Sequence, residues 1–132
     1  MNQKRIKELK QDYKNALDRL EEALQENALK GSIVVDGTIQ RFEFTFELAW
    51  KLAKALLVHG GIEVNSPRSA IKEGFQAKLF DNGEGWIDML EDRNKTSHLY
   101  DEDESFAIYE KIKKNHVHLL NGFWTKNSGT KI

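Results

Sequence analysis

Residues 38–59 read TIQRFEFTFELAWKLAKALLVH, and the fold turns on whether this stretch is strand or helix. FEFTF at 42–46 alternates apolar and polar residues as a strand does. LAWKLAKALL, which follows at 48–57, repeats at three and four residues, and over the longer window the helical period prevails. On that helix Ile39, Phe42, Phe46, Ala49, Ala53 and Leu56 form one apolar stripe, and Phe44, Leu48, Leu52 and Ala55 form a second. Polar residues are confined to a strip of Glu43, Glu47, Lys51 and Lys54. A helix apolar on two sides is buried on two sides, and in a small bundle the second side is expected to be a subunit interface, making the protein a homodimer.

The flanking segments repeat the helical pattern. From about residue 3 to 29, Ile6, Leu9, Tyr13, Leu17, Leu20 and Leu24 lie on one face of a long amphipathic helix that Gly31 can stop. Asp36-Gly37 reads as a turn with an N-cap for the helix quoted above. Gly60-Gly61 ends that helix, and Ser66-Pro67 supplies an N-cap and a first-turn proline for a third helix, to about Leu79, burying Ala70, Ile71, Phe75 and Leu79. After the turn at Asp81-Asn82-Gly83, a fourth helix starts near Glu84 and carries Trp86, Ile87 and Leu90. Asp103 is a candidate cap for a last helix bearing Phe106, Tyr109, Ile112, His116, Leu119 and Phe123. The expectation is all-α: an antiparallel up-and-down four-helix bundle with an extra short helix. It forms one domain over residues 1–125, followed by a flexible tail over 126–132.

Composition narrows the function classes. With 39% hydrophobic and 31% charged residues the chain reads as a globular protein, and a net charge of −1 argues against a broad nucleic-acid-coating surface. The absence of cysteine removes thiolate nucleophiles, disulfides and Cys-based metal sites. MNQKRIKELK at the start lacks the apolar core of a signal peptide, and no apolar run approaches the ~20 residues of a membrane span, so a cytoplasmic protein is expected.

The stretch that can carry chemistry is RNKTSHLY, residues 93–100, at the end of the fourth helix. Read structurally, it is a charged helix end: Lys95 follows Glu91 by four, and His98 suits a helix C-terminus. Read chemically, His98 can exchange a proton near neutral pH and Arg93 can grip phosphate oxygens bidentately. Without a metal these two form a minimal kit for cleaving RNA through its own 2′-hydroxyl. Asn94 could orient the phosphate or the imidazole, and Tyr100 offers a hydroxyl for substrate contact or modification. At 100° per residue, Arg93 and Tyr100 share a face while His98 lies about 140° from Arg93. Convergence therefore needs a helix end near Thr96-Ser97, or a second copy of the motif.

This Arg-x4-His-x-Tyr pattern, Arg93, Asn94, His98 and Tyr100, resembles the HEPN superfamily. With QRFEFTFELAWK upstream, Pro67, Arg68 and the terminal apolar helix, nearly the whole chain resembles its HepT-like, or nucleotidyltransferase substrate-binding, subgroup. The resemblance implies a homodimer whose paired motifs act as a metal-independent endoribonuclease, the toxin of a type VII toxin–antitoxin pair. It implies Arg93 and His98 as catalytic residues and no cofactor. It also implies a partner, a minimal nucleotidyltransferase antitoxin that adenylylates Tyr100. The alternative is a non-catalytic substrate-binding subunit of a two-component nucleotidyltransferase.

Other residues are weighed against simpler roles. Glu47 either reaches the cleft or pairs with Lys51 one turn on, and His116 is expected in the core. His116 and His118 face different ways, and His59 serves a helix end. Trp50 and Trp86 read as core residues. Asp101 to Glu104 reads as a solvated helix start, or as a holder of a metal–nucleotide during modification. Gly31-Ser32 has only Asp36 nearby, and the Asp-x-Asp pair Asp101 and Asp103 lies on a helical segment with no Gly-Ser before it, so a nucleotidyltransferase in this chain itself is not expected.

Overall fold

A computed structural model describes residues 3–129. Among the described residues there is no strand, and the expected all-α fold is found. The helices are α1 (Gln3–Leu24), α2 (Ser32–His59), α3 (Pro67–Gln76), α4 (Gly83–Lys95), α5 (Glu102–Lys111) and α6 (Val117–Asn127). A π-helical turn, Ile112–His116, joins α5 to α6, so these two form one interrupted rod.

Side-chain hydrogen bonds show the antiparallel order. Arg41 donates to the carbonyl of Arg19 and Thr45 lies against that of Ala16, so α2 runs against α1. The α4 and α5–α6 rods are antiparallel too, since Asp81 meets Lys126 while Asp92 meets His116. Helix α3 is the extra short one. Tyr13, fully buried on α1, donates its hydroxyl to the carbonyl of Leu120 on α6. Burial, and then the charge of Glu21, push that phenol well above its usual pKa, so it is a permanent donor.

The core runs the length of α2. Phe42, Phe46, Ala49 and Ala53 are fully buried, and Phe46, Phe80, Trp86 and Phe123 join in an aromatic cluster, with the Phe80 and Trp86 ring centroids 4.2 Å apart. The second stripe of α2 divides. Leu52 and Ala55 are covered by the chain's own packing, Leu48 is half-buried, and Phe44 remains 56% exposed.

Several boundaries differ from expectation. Helix α1 ends at Leu24, before a 3-10 turn, Ala28–Lys30, capped by Asn27. Asp36-Gly37 is not a turn: α2 begins at Ser32 because burying Val35, Thr38 and Ile39 outweighs the roughly 1 kcal/mol that a helical glycine costs. Phe75 is half-exposed. Gly74 faces the core in its place, and a Cβ on Gly74 would lie 2.4 Å from the Phe80 ring. Asp101, not Asp103, caps α5, because its extended backbone aims its carboxylate at the Glu104 N–H. Ser66 does cap α3, and Pro67 opens it.

On the last rod Phe106 is nearly half-exposed, and beyond the π turn, which shifts the register, Leu120 is more deeply buried than Leu119. Helix α6 continues to Asn127, two residues beyond the residue-125 boundary. There the buried Asn127 amide donates to the carbonyls of Leu79 and Phe123. Of the expected tail, residues 130–132 lie outside the described residues. No helix among the described residues is long and apolar enough to cross a membrane.

Candidate functional site

Helix α4 stops at Lys95, and the chain tightens into a 3-10 turn over Thr96–His98 before Leu99 takes an extended conformation. The bend falls between Arg93 and His98, and it directs them to different surroundings. Arg93 turns toward α2, with Nη1 3.4 Å from Glu43 Oε2 and Nη2 3.6 Å from Glu47 Oε1. Nη1 also donates to Thr96 Oγ1 at 3.3 Å. The Thr96 hydroxyl in turn lies 2.9 Å from Glu43 Oε2 and 2.6 Å from the Arg93 carbonyl, and can donate to either. Glu47 is held from its other side by Trp50 Nε1 at 3.0 Å, so its partners are Trp50 and Arg93 rather than Lys51.

One guanidinium thus faces two carboxylates, at separations longer than the 2.7–2.9 Å of a tight charge-assisted bond. Arg93 Nε is buried with no partner. The group is thus loosely bonded at its two terminal nitrogens, and an anion that reached them would compete with Glu43 and Glu47.

His98 and Tyr100 lie outside this knot. His98 Nδ1 is 3.4 Å from the Tyr100 hydroxyl, and Tyr100 is 83% exposed. When the phenol donates to Nδ1, the ring N–H sits on Nε2 as a donor; when the phenol accepts from Nδ1 instead, Nε2 carries the lone pair that can take a proton. His98 lines an open groove of about 670 Å³ with Asn94, Lys95, Glu104 and Lys111. Arg93 is not among the groove's lining residues, and Tyr100 lines a separate shallow depression with Ser32, Asp36 and Glu102. One chain therefore brings Asn94 and His98 to one groove and joins Arg93 to Glu43 and Glu47, without joining the two groups.

Sequence reasoning missed the polar cluster under this turn. Asp92, only 1% exposed, lies 2.7 Å from both His116 Nε2 and Lys111 Nζ, and Lys111 reaches Asp88 at 3.0 Å. Burial pushes the Asp92 carboxyl upward, but hydrogen bonds from His116 and Lys111 outweigh it and hold the group below the usual carboxylate range. Burial likewise lowers Lys111, and its bonds to Asp92 and Asp88 more than reverse that. Asp88, Asp92 and His116 place ligand atoms within 4.8 Å of one another, but the Lys111 ammonium already occupies the cation position beside them. The available signal was Asp88 and Asp92 four apart on α4, together with a histidine on the apolar stripe of the last helix.

His116 is buried as expected and stacks on Phe42, with ring centroids 5.5 Å apart. His118 and His59 are exposed. Trp86 is core and Trp50 half-buried.

A helical bundle with this motif geometry defines a class, and sequence comparison specifies it. Residues 8–127 match the family described as nucleotidyltransferase substrate binding protein like, and the chain belongs to that family. A relative from Haemophilus influenzae, "Probable ribonuclease HepT", is 31% identical over 93 residues, covering 64% of each chain. The chain thus matches less than two thirds of that relative's length. A crystal structure of a Thermus thermophilus protein has the same fold, with a TM-score of 0.79 and 29% identity over 86% of this chain and 97% of the other. A second structure, from Haemophilus influenzae and described as the fold of a substrate binding domain of a nucleotidyltransferase, gives a TM-score of 0.70. It is 23% identical over 84% of this chain and 96% of that one, and supports the fold alone.

Proposed function

We propose that this chain is a HepT-like toxin: a cytoplasmic, homodimeric, metal-independent endoribonuclease, silenced when a partner nucleotidyltransferase adenylylates Tyr100. The observation that carries the reading is the division of the motif at the end of α4. Arg93 is anchored to Glu43 and Glu47, while His98 and the exposed Tyr100 stand together on the turn beyond. The similarity to a probable ribonuclease supports the reaction class.

Pairing two copies resolves the division. Phe44 is exposed next to Glu43, the residue that holds Arg93, so apolar contact between copies there would place the two Arg93 groups near the seam. In the reaction His98 takes the proton of the RNA 2′-hydroxyl as its oxygen attacks phosphorus. The P–O5′ bond then breaks, leaving a 2′,3′-cyclic phosphate, and the departing 5′-oxygen takes up a proton. Arg93 offsets the charge that builds on the phosphorane oxygens, and Asn94 orients the phosphate or the imidazole. Glu47 sets the direction of the guanidinium.

In silencing, the Tyr100 phenol oxygen attacks the α-phosphorus of ATP and pyrophosphate leaves, with the phenolic proton passing to base. The added phosphodiester would lie beside His98 and repel the substrate phosphate. The test is cleavage of RNA by purified unmodified protein, compared with His98→Ala, and mass spectrometry for AMP on Tyr100 after co-expression with the nucleotidyltransferase. Cleavage lost in His98→Ala and AMP on Tyr100 are expected. No cleavage by wild type would overturn the ribonuclease reading.

A second reading rests on Arg93 itself. One cation facing two carboxylates is poorly prepared for phosphate, as befits a non-catalytic substrate-binding subunit of a nucleotidyltransferase. It requires wild type and His98→Ala to be equally harmless on expression.

A further inference from the structure

We propose that Asp92 is a positioning residue for the turn that carries Arg93 and His98, acting through Lys111 and His116; the proposal rests on the ribonuclease reading above. Asp92 immediately precedes Arg93 in the last turn of α4. While Arg93 is held from the α2 side, Asp92 is held from the α5–α6 side, so the turn is clamped between two elements.

The π turn is what makes this second clamp possible. Lys111 and His116 are five residues apart, which on an α-helix sets them about 140° from one another. The Val117 N–H instead bonds the Ile112 carbonyl, an i→i+5 closure, and the widened turn brings both side chains to one carboxylate oxygen, each at 2.7 Å. Such turns interrupt helices rarely and often at functional sites.

The buried setting of His116 fixes its ring as well. Its Nδ1 is buried without a partner, so a proton there would be a stranded donor. Nε2 is the ring nitrogen that faces the Asp92 carboxylate, at 2.7 Å. Phe42, stacked on this ring, is the neighbour of Glu43, which holds Arg93. A buried charged cluster is a poor source of net stability compared with apolar packing of the same volume. What it supplies here is a defined rotation of the α4 terminus, which apolar contacts fix less sharply.

The test compares Asp92→Asn, which keeps the shape and removes the charge, with His116→Asn, whose short amide cannot span to Asp92. Tyr13→Phe, a destabilising change on α1 away from the turn, is the control. Each is assayed at a temperature where circular dichroism shows it fully folded. The readouts are kcat and KM on an RNA oligonucleotide cut once, and NMR of the Arg93 Nε–Hε and His98 ring resonances. Both cluster variants should lose kcat on the order of 10- to 100-fold, with KM within about twofold of wild type, as expected of a misplaced catalytic group. The Arg93 and His98 resonances should shift, while Tyr13→Phe changes neither. Wild-type kcat and unmoved resonances in folded Asp92→Asn and His116→Asn would show the cluster to be packing only. If wild type itself cleaves no RNA, the ribonuclease reading fails, and the resonances alone decide whether Asp92 sets the turn.

Discussion

Replacing Lys111 with methionine keeps most of the stem that covers the core and removes the ammonium between Asp88 and Asp92. Asp88 is nearly half-exposed and can turn to water, but Asp92 is buried and keeps only His116 at 2.7 Å and the exposed Lys95 ammonium at 4.0 Å. Breaking a fully buried pair costs about 3–5 kcal/mol, and an exposed one under about 1 kcal/mol. The Lys111 side chain is 37% exposed, which places the loss between these limits, at roughly 2 kcal/mol near pH 7.

The pH dependence is the sharper test. In wild type the Asp92 pKa is held low, so its contribution is present above the ordinary carboxylate pKa of 3.8 and is lost as pH falls through the folded value. In Lys111→Met the bond and charge of Lys111 no longer lower the Asp92 carboxyl, so it protonates at a higher pH than in wild type. The gap between the two proteins must therefore narrow below about pH 5. It must narrow again as pH rises past 10.5 through the raised Lys111 pKa, where wild type loses the same ion pair. Urea unfolding between pH 3 and 8 measures the acid side. A gap that stays constant over that range, or one of less than about 0.5 kcal/mol at pH 7, would refute the electrostatic account.

Three further outcomes follow from the packing and the site. Tyr13→Phe should lower stability by about 1–2 kcal/mol in thermal or urea unfolding, since it removes the buried hydroxyl donor to the Leu120 carbonyl. Gly74→Ala should cost about 1–3 kcal/mol because its methyl meets the Phe80 ring, and a double-mutant cycle with Phe80→Leu should recover part of the loss. Arg93→Lys should reduce RNA cleavage by roughly 100-fold in a single-turnover assay, because a point charge cannot replace a planar guanidinium on a phosphorane. Its unfolding midpoint should move little, as the ion pairs it replaces are long and partly solvated.

How legible each feature was depends on how local its cause is. The period of LAWKLAKALL and the Ser66-Pro67 cap depend on neighbours within a turn or two, and both helices formed, although α2 begins at Ser32 rather than near Thr38 and α3 ends at Gln76 rather than near Leu79. Asp36-Gly37 misled because turn chemistry is also local, and Val35 and Ile39 joining a core built by other helices overrode it. Phe75 was assigned inward by periodicity, but the close approach of Phe80 to Gly74 claimed that face. In the motif, Arg93, Asn94, His98 and Tyr100 were visible as residue types at a spacing. Helical arithmetic also showed that Arg93 and His98 diverge on a straight helix.

The sequence by itself therefore determined the helices, the buried face of most of them and the candidate reactive residues, since periodicity and side-chain chemistry are properties of a short segment. Only the tertiary structure decided the partners: Glu43 and Glu47 on Arg93, and Lys111 and His116 on Asp92. Asp92 and His116 are 24 residues apart, and a π turn with no evident mark in the sequence aligns the second with the first. Such contacts arise from how rods lie against one another, and a register shift of one residue within a rod is enough to make or remove them.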